Sequence, residues 1–253
     1  MKLIFKFILI YFISINVFAR EVGETEITTE DGIEVFQKEK FYLLKKNVKI
    51  ASDSFTLDAD EVKIIFDKSL YDITKLEAQG NVKFNSQEFS LKGSGNLLIF
   101  EVKIEKIRVE GEDSTLITNE VEMFSDGFIE VNNVLGDFSL KGLNSKLVNE
   151  NILIIAEKIN GKFYSKENKK QISFLNVDDE KISYIKNNNS EMYAQKINFD
   201  NSTSIIELIN NVTIIRNEEK VTGDYGTLDT KNDSYKIKSN NKSKVRVIIQ
   251  NDE

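Results

Sequence analysis

The sequence predicts an all-β protein built from repeated antiparallel hairpins. Three observations support this. Apolar and polar residues alternate along most of the chain, one motif spacing recurs three times, and Asp, Asn, Gly and Ser interrupt the alternating segments at intervals of roughly 8 to 12 residues. The chain also contains no proline, which suits long strands because proline removes a ladder hydrogen bond.

The recurring motif begins with Asn-Val and ends with Gly or Ala twelve residues after the Asn. Its three copies run from Asn47 to Ala59, from Asn81 to Gly93 and from Asn211 to Gly223. The first two copies start 34 residues apart (81 minus 47), and the similarity continues beyond the motif. We therefore expect each repeat to contain about three strands and to stack on its neighbour.

A degenerate fourth copy is expected to start at Asn133. Its turn is shorter, but it carries the segment 138–142, whose sequence Phe-Ser-Leu-Lys-Gly is identical to that of 89–93. The repeat cannot be followed between Glu101 and Phe128. The sequence therefore leaves open whether the folded chain forms one continuous unit or two stacked halves.

Each hairpin is predicted to be apolar on one face only, because successive side chains of a strand point to opposite faces. In the second copy Val82 and Phe84 alternate with polar residues, and Phe89 and Leu91 resume the same face after the turn. Stacked hairpins of this kind enclose an apolar trough or a filled core.

The first nineteen residues are expected to be a cleaved export signal, with residues 20–253 forming the folded protein. Lys2 and Lys6 precede an apolar run from Phe7 to Phe18, and the segment ends at Ala19, where cleavage is predicted. An uncleaved membrane anchor is the alternative. Without this segment 32 basic residues (34 minus 2) face 41 acidic ones, a net charge of −9, so nucleic acid is not an expected partner.

The chain lacks histidine and cysteine, which excludes thiol catalysis and ordinary zinc sites. Carboxylates are the remaining candidates for catalysis, as in a glycosidase. The densest groups contain Asp53, Asp58, Asp60 and Glu61, with Asp224 and Asp229 near the last hairpin. We favour a structural role for them because Asp is common where strands turn. Calcium binding is a weaker alternative, and no cofactor is expected.

Two further segments are notable. Lys158, Lys162, Lys166, Lys169 and Lys170 form a basic stretch, interpreted as a solvated turn with an anion site as the alternative. The chain closes with an apolar segment expected to be an edge strand that binds a partner through Val245, Val247 and Ile249.

The order of these segments resembles the OstA-like family, which includes the lipopolysaccharide transport protein LptA. The resemblance lies in segment 27–34 with its acidic Gly turn, in segment 47–60, and in the carboxyl half at 206–208, 211–214, 221–226 and 245–247. Lys46 stands where the family usually has Gly, whereas Gly80 restores it in the second copy.

This resemblance implies an elongated, twisted, V-shaped β-jelly roll in the periplasm whose interior holds the acyl chains of lipid A. It also implies edge-strand contacts with LptC-like and LptD-like proteins, head-to-tail self-association, and a carrier rather than an enzyme. An LptC-like anchored bridge component and a non-enzymatic β-solenoid interaction protein are the alternatives. The residues expected to line the interior are Val48, Ile50, Phe55, Leu57, Val82, Phe84, Phe89, Leu91, Val212, Ile214 and Val221.

Overall fold

The computed structural model describes residues 22–69, 72–150, 152–166, 169–187, 189–240 and 244–249, and the side chains of 165, 166 and 169 lie outside this description. The predicted export signal at 1–19 also lies outside the described residues. Within the described residues no helix is long and apolar enough to cross a membrane.

The described residues form β-strands joined by short turns, with a single turn of 3-10 helix at Val102–Ile104. The all-β prediction is confirmed. In chain order the strands are β1 Glu26–Thr28, β2 Ile33–Phe36, β3 Phe41–Ala51, β4 Phe55–Phe66, β5 Ile73–Ser86, β6 Leu91–Glu101, β7 Lys106–Glu110, β8 Ser114–Ile117, β9 Val121–Ser125, β10 Phe128–Asn132, β11 Asp137–Asn149, β12 Ile152–Lys166, β13 Lys169–Asn187, β14 Ser190–Asp200, β15 Ile205–Arg216, β16 Glu219–Asp229, β17 Ser234–Lys238 and β18 Arg246–Ile249.

The long strands form one antiparallel ladder in chain order, from β3 to β6 and from β11 to β16. Short strands occupy shared positions in this ladder. β7 and β8 both pair with β6, and β9 and β10 both pair with β11. At the two ends β1 and β2 share β3, while β17 and β18 share β16. The ladder therefore runs without a break through the region where the repeat disappears from the sequence.

The Asn of each motif copy marks a corner in its strand. The residue pairs Lys46–Asn47, Gly80–Asn81 and Asn210–Asn211 all have positive φ angles between 49° and 77°. In each case these two residues lie opposite one residue of the next strand, as the register shifts show. Such a two-against-one bulge bends a strand sharply. A bent strand therefore consists of two straight segments, one on each side of the corner, which we call its legs.

The corner geometry explains two sequence choices in the second copy. A Cβ on Gly80 would lie 2.2 Å from Oδ2 of Asp60, and Asn81 donates a hydrogen bond of 2.9 Å to that same oxygen. In the first copy Asn47 donates similarly to Glu30 over 2.6 Å. In these two copies the motif Asn thus ties the corner of its strand to an acidic residue of a neighbouring segment, Asp60 on β4 or Glu30 between β1 and β2.

The two legs of each strand bury the same face. Leu44 before the corner and Val48 and Ile50 after it are all buried, as are Leu76, Ala78, Val82 and Phe84 on β5. These side chains belong to one hydrophobic cluster that extends from β3 to β16. The hairpins are apolar on one face, as predicted, and the sheet folds along its corners around that face.

Two details of the repeat differ from expectation. The 34-residue period corresponds to two strands and not to about three, because each strand continues through a corner that the sequence analysis did not predict. The fourth copy is also wrong at its start, since Asn133 lies in the turn between β10 and β11 and not at a corner. Its matching segment 138–142 does open strand β11, as 91–93 opens β6.

The closing Gly of the second motif makes room for an aromatic ring. Gly93 pairs with Phe84, and a Cβ at this glycine would lie 2.4 Å from Cε1 of that ring and 2.9 Å from the carbonyl oxygen of Thr115. In the first copy Ile50 pairs with Leu57, and Ala59 pairs with Val48. Among the three motif copies, the pairing of an aromatic residue with glycine is therefore particular to the second.

We predict that Gly93→Ala destabilises the fold by about 1–3 kcal/mol, because it overpacks a filled interior. Adding Phe84→Ile should recover part of this loss, since it removes the nearest contact. Urea unfolding of the wild type, both single variants and the double variant measures the coupling. Fully additive effects of the two substitutions would contradict the proposed steric pairing.

Candidate functional site

The ends of the bent strands form two rows of turns. The first row, called row A, contains the turns at 37–40, 67–69, 102–105, 133–136, 201–204 and 230–233. The second, row B, contains those at 52–54, 87–90, 118–120, 150, 189 and 217–218. Because every long strand bends at its corner, both rows lie on the side of the molecule away from the corners.

A cleft of about 1050 Å³ opens between the two rows in the middle of the ladder. Row B contributes residues from two turns, including Thr118, Glu120 and Glu150. Row A contributes Asn201 and Thr230, and Lys170 and Ile172 lie on the adjoining part of β13. The cleft is thus the mouth of the space enclosed by the folded sheet.

An apolar cavity lies beneath this mouth. Its volume is about 20 Å³, enough for about one water molecule. Thr118 and Lys170 line both the cavity and the cleft, so the two are adjacent. The side chains around the cavity are mainly apolar and come from both legs of the sheet: Phe89, Leu91, Phe100, Ile107, Leu116, Met123, Val131 and Phe163.

Two aromatic side chains meet across this cavity. Phe89 lies in a row B turn, and Phe100 lies next to a row A turn. Their ring centroids are nevertheless 6.3 Å apart in an edge-to-face arrangement. Such a contact between rings adds modest stability beyond area burial. Contact between these two side chains therefore closes the interior at this place.

The carboxyl end of the mouth is closed by polar contacts between the rows. The guanidinium of Arg216, at row B, donates to the backbone carbonyl of Asp233 in row A over 2.8 Å and forms an ion pair with its carboxylate. Asn189, also in row B, donates to the same carboxylate over 3.4 Å. We call these three residues the clasp.

A tyrosine strengthens this closure. Burial raises the pKa of Tyr235 on β17, and a hydrogen bond with Glu219 at the start of β16 acts in the same direction. Tyr235 also packs against the hydrophobic cluster. The two walls of the sheet are thus in direct contact at the carboxyl end and separate towards the middle.

The predicted lining residues all lie on the enclosed face. Nine of them are buried, namely Val48, Ile50, Leu57, Val82, Phe84, Leu91, Val212, Ile214 and Val221. Phe55 and Phe89 are partly buried and pack against the same cluster. Only Phe89 and Leu91 border the cavity below the mouth, whereas the others fill the walls around it.

Sequence reasoning missed most of the cavity lining. Ile107, Leu116, Met123 and Val131 lie where the repeat is lost, on the short strands β7 to β10. Their alternation with polar residues was a usable signal, since Leu116 and Met123 are fully buried. The missed residues differ from the motif copies because their strands break at the corners instead of bending.

The acidic residues have local structural roles. Asp60 accepts the hydrogen bond of Asn81 at a corner, and Asp224 accepts one from the backbone N–H of Asn240 over 2.8 Å. The pKa of Asp229 is lowered by hydrogen bonds from the backbone and side chain of Asn232. The described residues contain no group of three metal-ligating side chains that could hold an ion.

The basic stretch is divided between the two faces of the sheet. Lys158 and Lys162 are exposed, and Lys162 pairs with Asp137 over 3.5 Å. Lys170 instead reaches the cavity and the cleft. The side chains of Lys166 and Lys169 lie outside the described residues.

Each end of the ladder has a free edge among the described strands. β18 pairs only with β16, and its residues Val247 and Ile249 are 51 % and 67 % exposed. Val245 precedes this strand and is also exposed. At the other end β2 pairs only with β3 and exposes Ile33 and Val35. The expected edge strand at the carboxyl end is present, while its partner remains a prediction.

Comparison with known proteins gives one family match. Residues 28–132, from the end of β1 to the end of β10, match the model of the family described as LptA/(LptD N-terminal domain) LPS transport protein. No curated protein matches the sequence. Among solved structures, LptH from Pseudomonas aeruginosa, the LptA-homologous periplasmic component of the lipopolysaccharide transport device, is similar at 10 % identity. The match covers 90 % of this chain and 96 % of LptH with a TM-score of 0.23, so the fold described above rests on its own strand pairing.

We expect the distance between row A and row B to increase when the clasp is removed. Arg216→Met should shift the distance between spin labels on Glu218→Cys and Lys231→Cys to longer values, because it removes the contacts between the rows. The loss of stability should stay below about 1 kcal/mol, since the pair is partly solvated. Pulsed electron spin resonance measures the distance, and the absence of native cysteine makes the labelling specific.

The matched control is Lys40→Met, which removes the ion pair of 3.2 Å between Lys40 and Asp67 within row A. It should leave the label distance unchanged. An unchanged distance in Arg216→Met as well would show that the clasp does not hold the rows together.

Proposed function

We propose that the chain is a member of the LptA/LptD N-terminal family of lipopolysaccharide transport proteins, whose model matches residues 28–132, and that it is a periplasmic carrier of lipopolysaccharide. It shelters the acyl chains of lipid A inside the folded sheet while the hydrophilic part stays at the mouth. It acts as a bridge component between the inner and outer membranes and catalyses no reaction.

The observation that carries this proposal is the polar cleft directly above an apolar cavity. The cleft of about 1050 Å³ is large enough for a large headgroup, and the cavity below it is lined mainly by aliphatic and aromatic side chains. This order, polar outside and apolar inside, matches the order of groups in an amphiphile. Residues on both sides of the boundary, such as Phe100 and Thr118, lie in the segment that matches the family.

Lipid uptake requires the two walls to separate, because the cavity of about 20 Å³ is far smaller than an acyl chain. Each methylene that moves from water into the interior contributes about 0.8 kcal/mol. This gain offsets the loss of the contact between Phe89 and Phe100 and of other packing along the mouth. The central section is suited to this opening since the clasp holds the carboxyl end together.

The competing role is that of a membrane-anchored bridge component. Export and cleavage after Ala19 remain predictions, since that segment lies outside the described residues. Fractionation of cells that express the full chain separates the two roles. Release with the periplasmic contents supports the carrier, and retention in the inner membrane supports the anchored component.

The edge strands are proposed to join copies of this chain and to bind LptC-like and LptD-like partners. An unpaired edge offers a row of backbone groups that another strand can extend. β18 at one end and β2 at the other both expose apolar side chains beside such an edge. Head-to-tail addition would therefore continue the ladder from one copy to the next.

A photo-crosslinking amino acid at Phe100 tests lipid uptake. We expect it to capture lipopolysaccharide, because this side chain lines the cavity. The matched control is the same substitution at Phe124, whose ring lies on the outer face beneath the ammonium of Lys146 at 5.2 Å. Mass spectrometry identifies the adduct. Capture at neither position, or equal capture at both, would contradict an interior lipid site.

Charges on the closing strand test the edge contact. Val247→Lys with Ile249→Lys should weaken head-to-tail self-association at least tenfold, since lysine on an edge opposes strand addition. Sedimentation velocity measures the association over a concentration series. Lipid capture at Phe100 should persist in this variant, which separates assembly from binding. Unaltered association would place the contact elsewhere.

A further inference from the structure

Lys170 lies on the enclosed face of the sheet. It is two residues before Ile172 on β13, and residues at this spacing point to the same face. Ile172 is buried, and Lys170 borders both the apolar cavity and the cleft above it. A lysine in this position is unusual because burial disfavours its charged form.

The ammonium group has few partners. Its Nζ donates a hydrogen bond to Oδ1 of Asn133, and the carboxylates whose charges act on it are those of Glu105 and Glu120. The carboxylate of Glu105 is engaged by the amide of Asn133. An ammonium carries three protons, so Lys170 can donate to a further acceptor.

The electrostatic balance at Lys170 favours an added anion. Burial lowers the pKa of this lysine, and the charges of Glu105 and Glu120 only partly oppose that effect. The cation is therefore incompletely stabilised in the free protein. An anionic group placed against Nζ would supply the missing stabilisation, and charge-assisted hydrogen bonds of this kind are among the stronger ones.

The surroundings of Lys170 suit the junction of an amphiphile. A smaller pocket of about 220 Å³ beside it is lined by Val134 and Leu135, which are 62 % and 58 % exposed. Phe163 borders this pocket and the interior cavity together. Lys170 thus stands between an apolar interior and an apolar rim, at the level where a headgroup meets its acyl chains.

We propose that Lys170 binds the anionic headgroup of the amphiphile whose acyl chains occupy the interior, with Asn133 orienting its ammonium group. This inference rests on the proposed function and adds a specificity-determining residue to it. The group recognised is a phosphate attached to the lipid. Glu120, across the cleft in row B, opposes the binding of that phosphate.

Lipid A and fully dephosphorylated lipid A are the probes, and both are titrated against the folded protein by displacement of a fluorescent fatty acid. The wild type should bind the phosphorylated form about tenfold more tightly, as expected for one charged hydrogen bond. Lys170→Met should lower the affinity for the phosphorylated form about tenfold and leave the dephosphorylated form unchanged. Glu120→Gln should raise the affinity for the phosphorylated form only.

Lys158→Met is the control, because Lys158 is exposed and borders neither the cavity nor the cleft. It should bind both probes as the wild type does. If Lys170→Met lowers the affinity for both probes equally, or still binds the phosphorylated probe more tightly, Lys170 does not bind the phosphate. If the wild type binds neither probe, the proposed function itself fails, which is a different result from loss of discrimination.

Discussion

The structure depends on the bulges at the corners of its strands, which are two-against-one in each of the three motif copies. The bulge lets one strand contribute a leg to each wall of the enclosed space while its pairing with the next strand resumes in register. Because the two corner residues preserve the alternation of side chains along the bulged strand, residues such as Leu76 and Val82 face inward on both sides of the corner. Without the bulge, each hairpin would be a flat surface with one exposed apolar face.

This construction makes the interior both continuous and adjustable. The hydrophobic cluster extends along the ladder, yet its two walls meet mainly through side chains such as Phe89 and Phe100 instead of backbone hydrogen bonds. Separating the walls therefore breaks no strand pairing within either wall. The clasp of Arg216, Asn189 and Asp233 limits this separation at the carboxyl end.

Local pattern was enough to predict the strands and the buried face, because alternation is a property of neighbouring residues. The corners were not predicted, because only the second copy carries a glycine, Gly80, at the left-handed position, whereas Lys46 and Asn210 occupy it in the other two copies. The clasp joins Arg216 to Asp233 across the mouth, and no short-range pattern records such a contact. The sequence analysis interpreted Lys170 as one of the solvated lysines because of its charge, although the alternation of side chains places it on the same face as Ile172.

The position of the mouth follows from where the strands break. In the centre of the ladder β7 to β10 replace bent strands with separate short ones, so the corners there lack the paired left-handed residues of the motif copies. The apolar cavity is lined by residues of all four short strands, and the cleft opens beside two of them. The loss of the repeat between Glu101 and Phe128 is therefore the sequence counterpart of the candidate site, and the regular copies on either side supply the rigid walls that frame it.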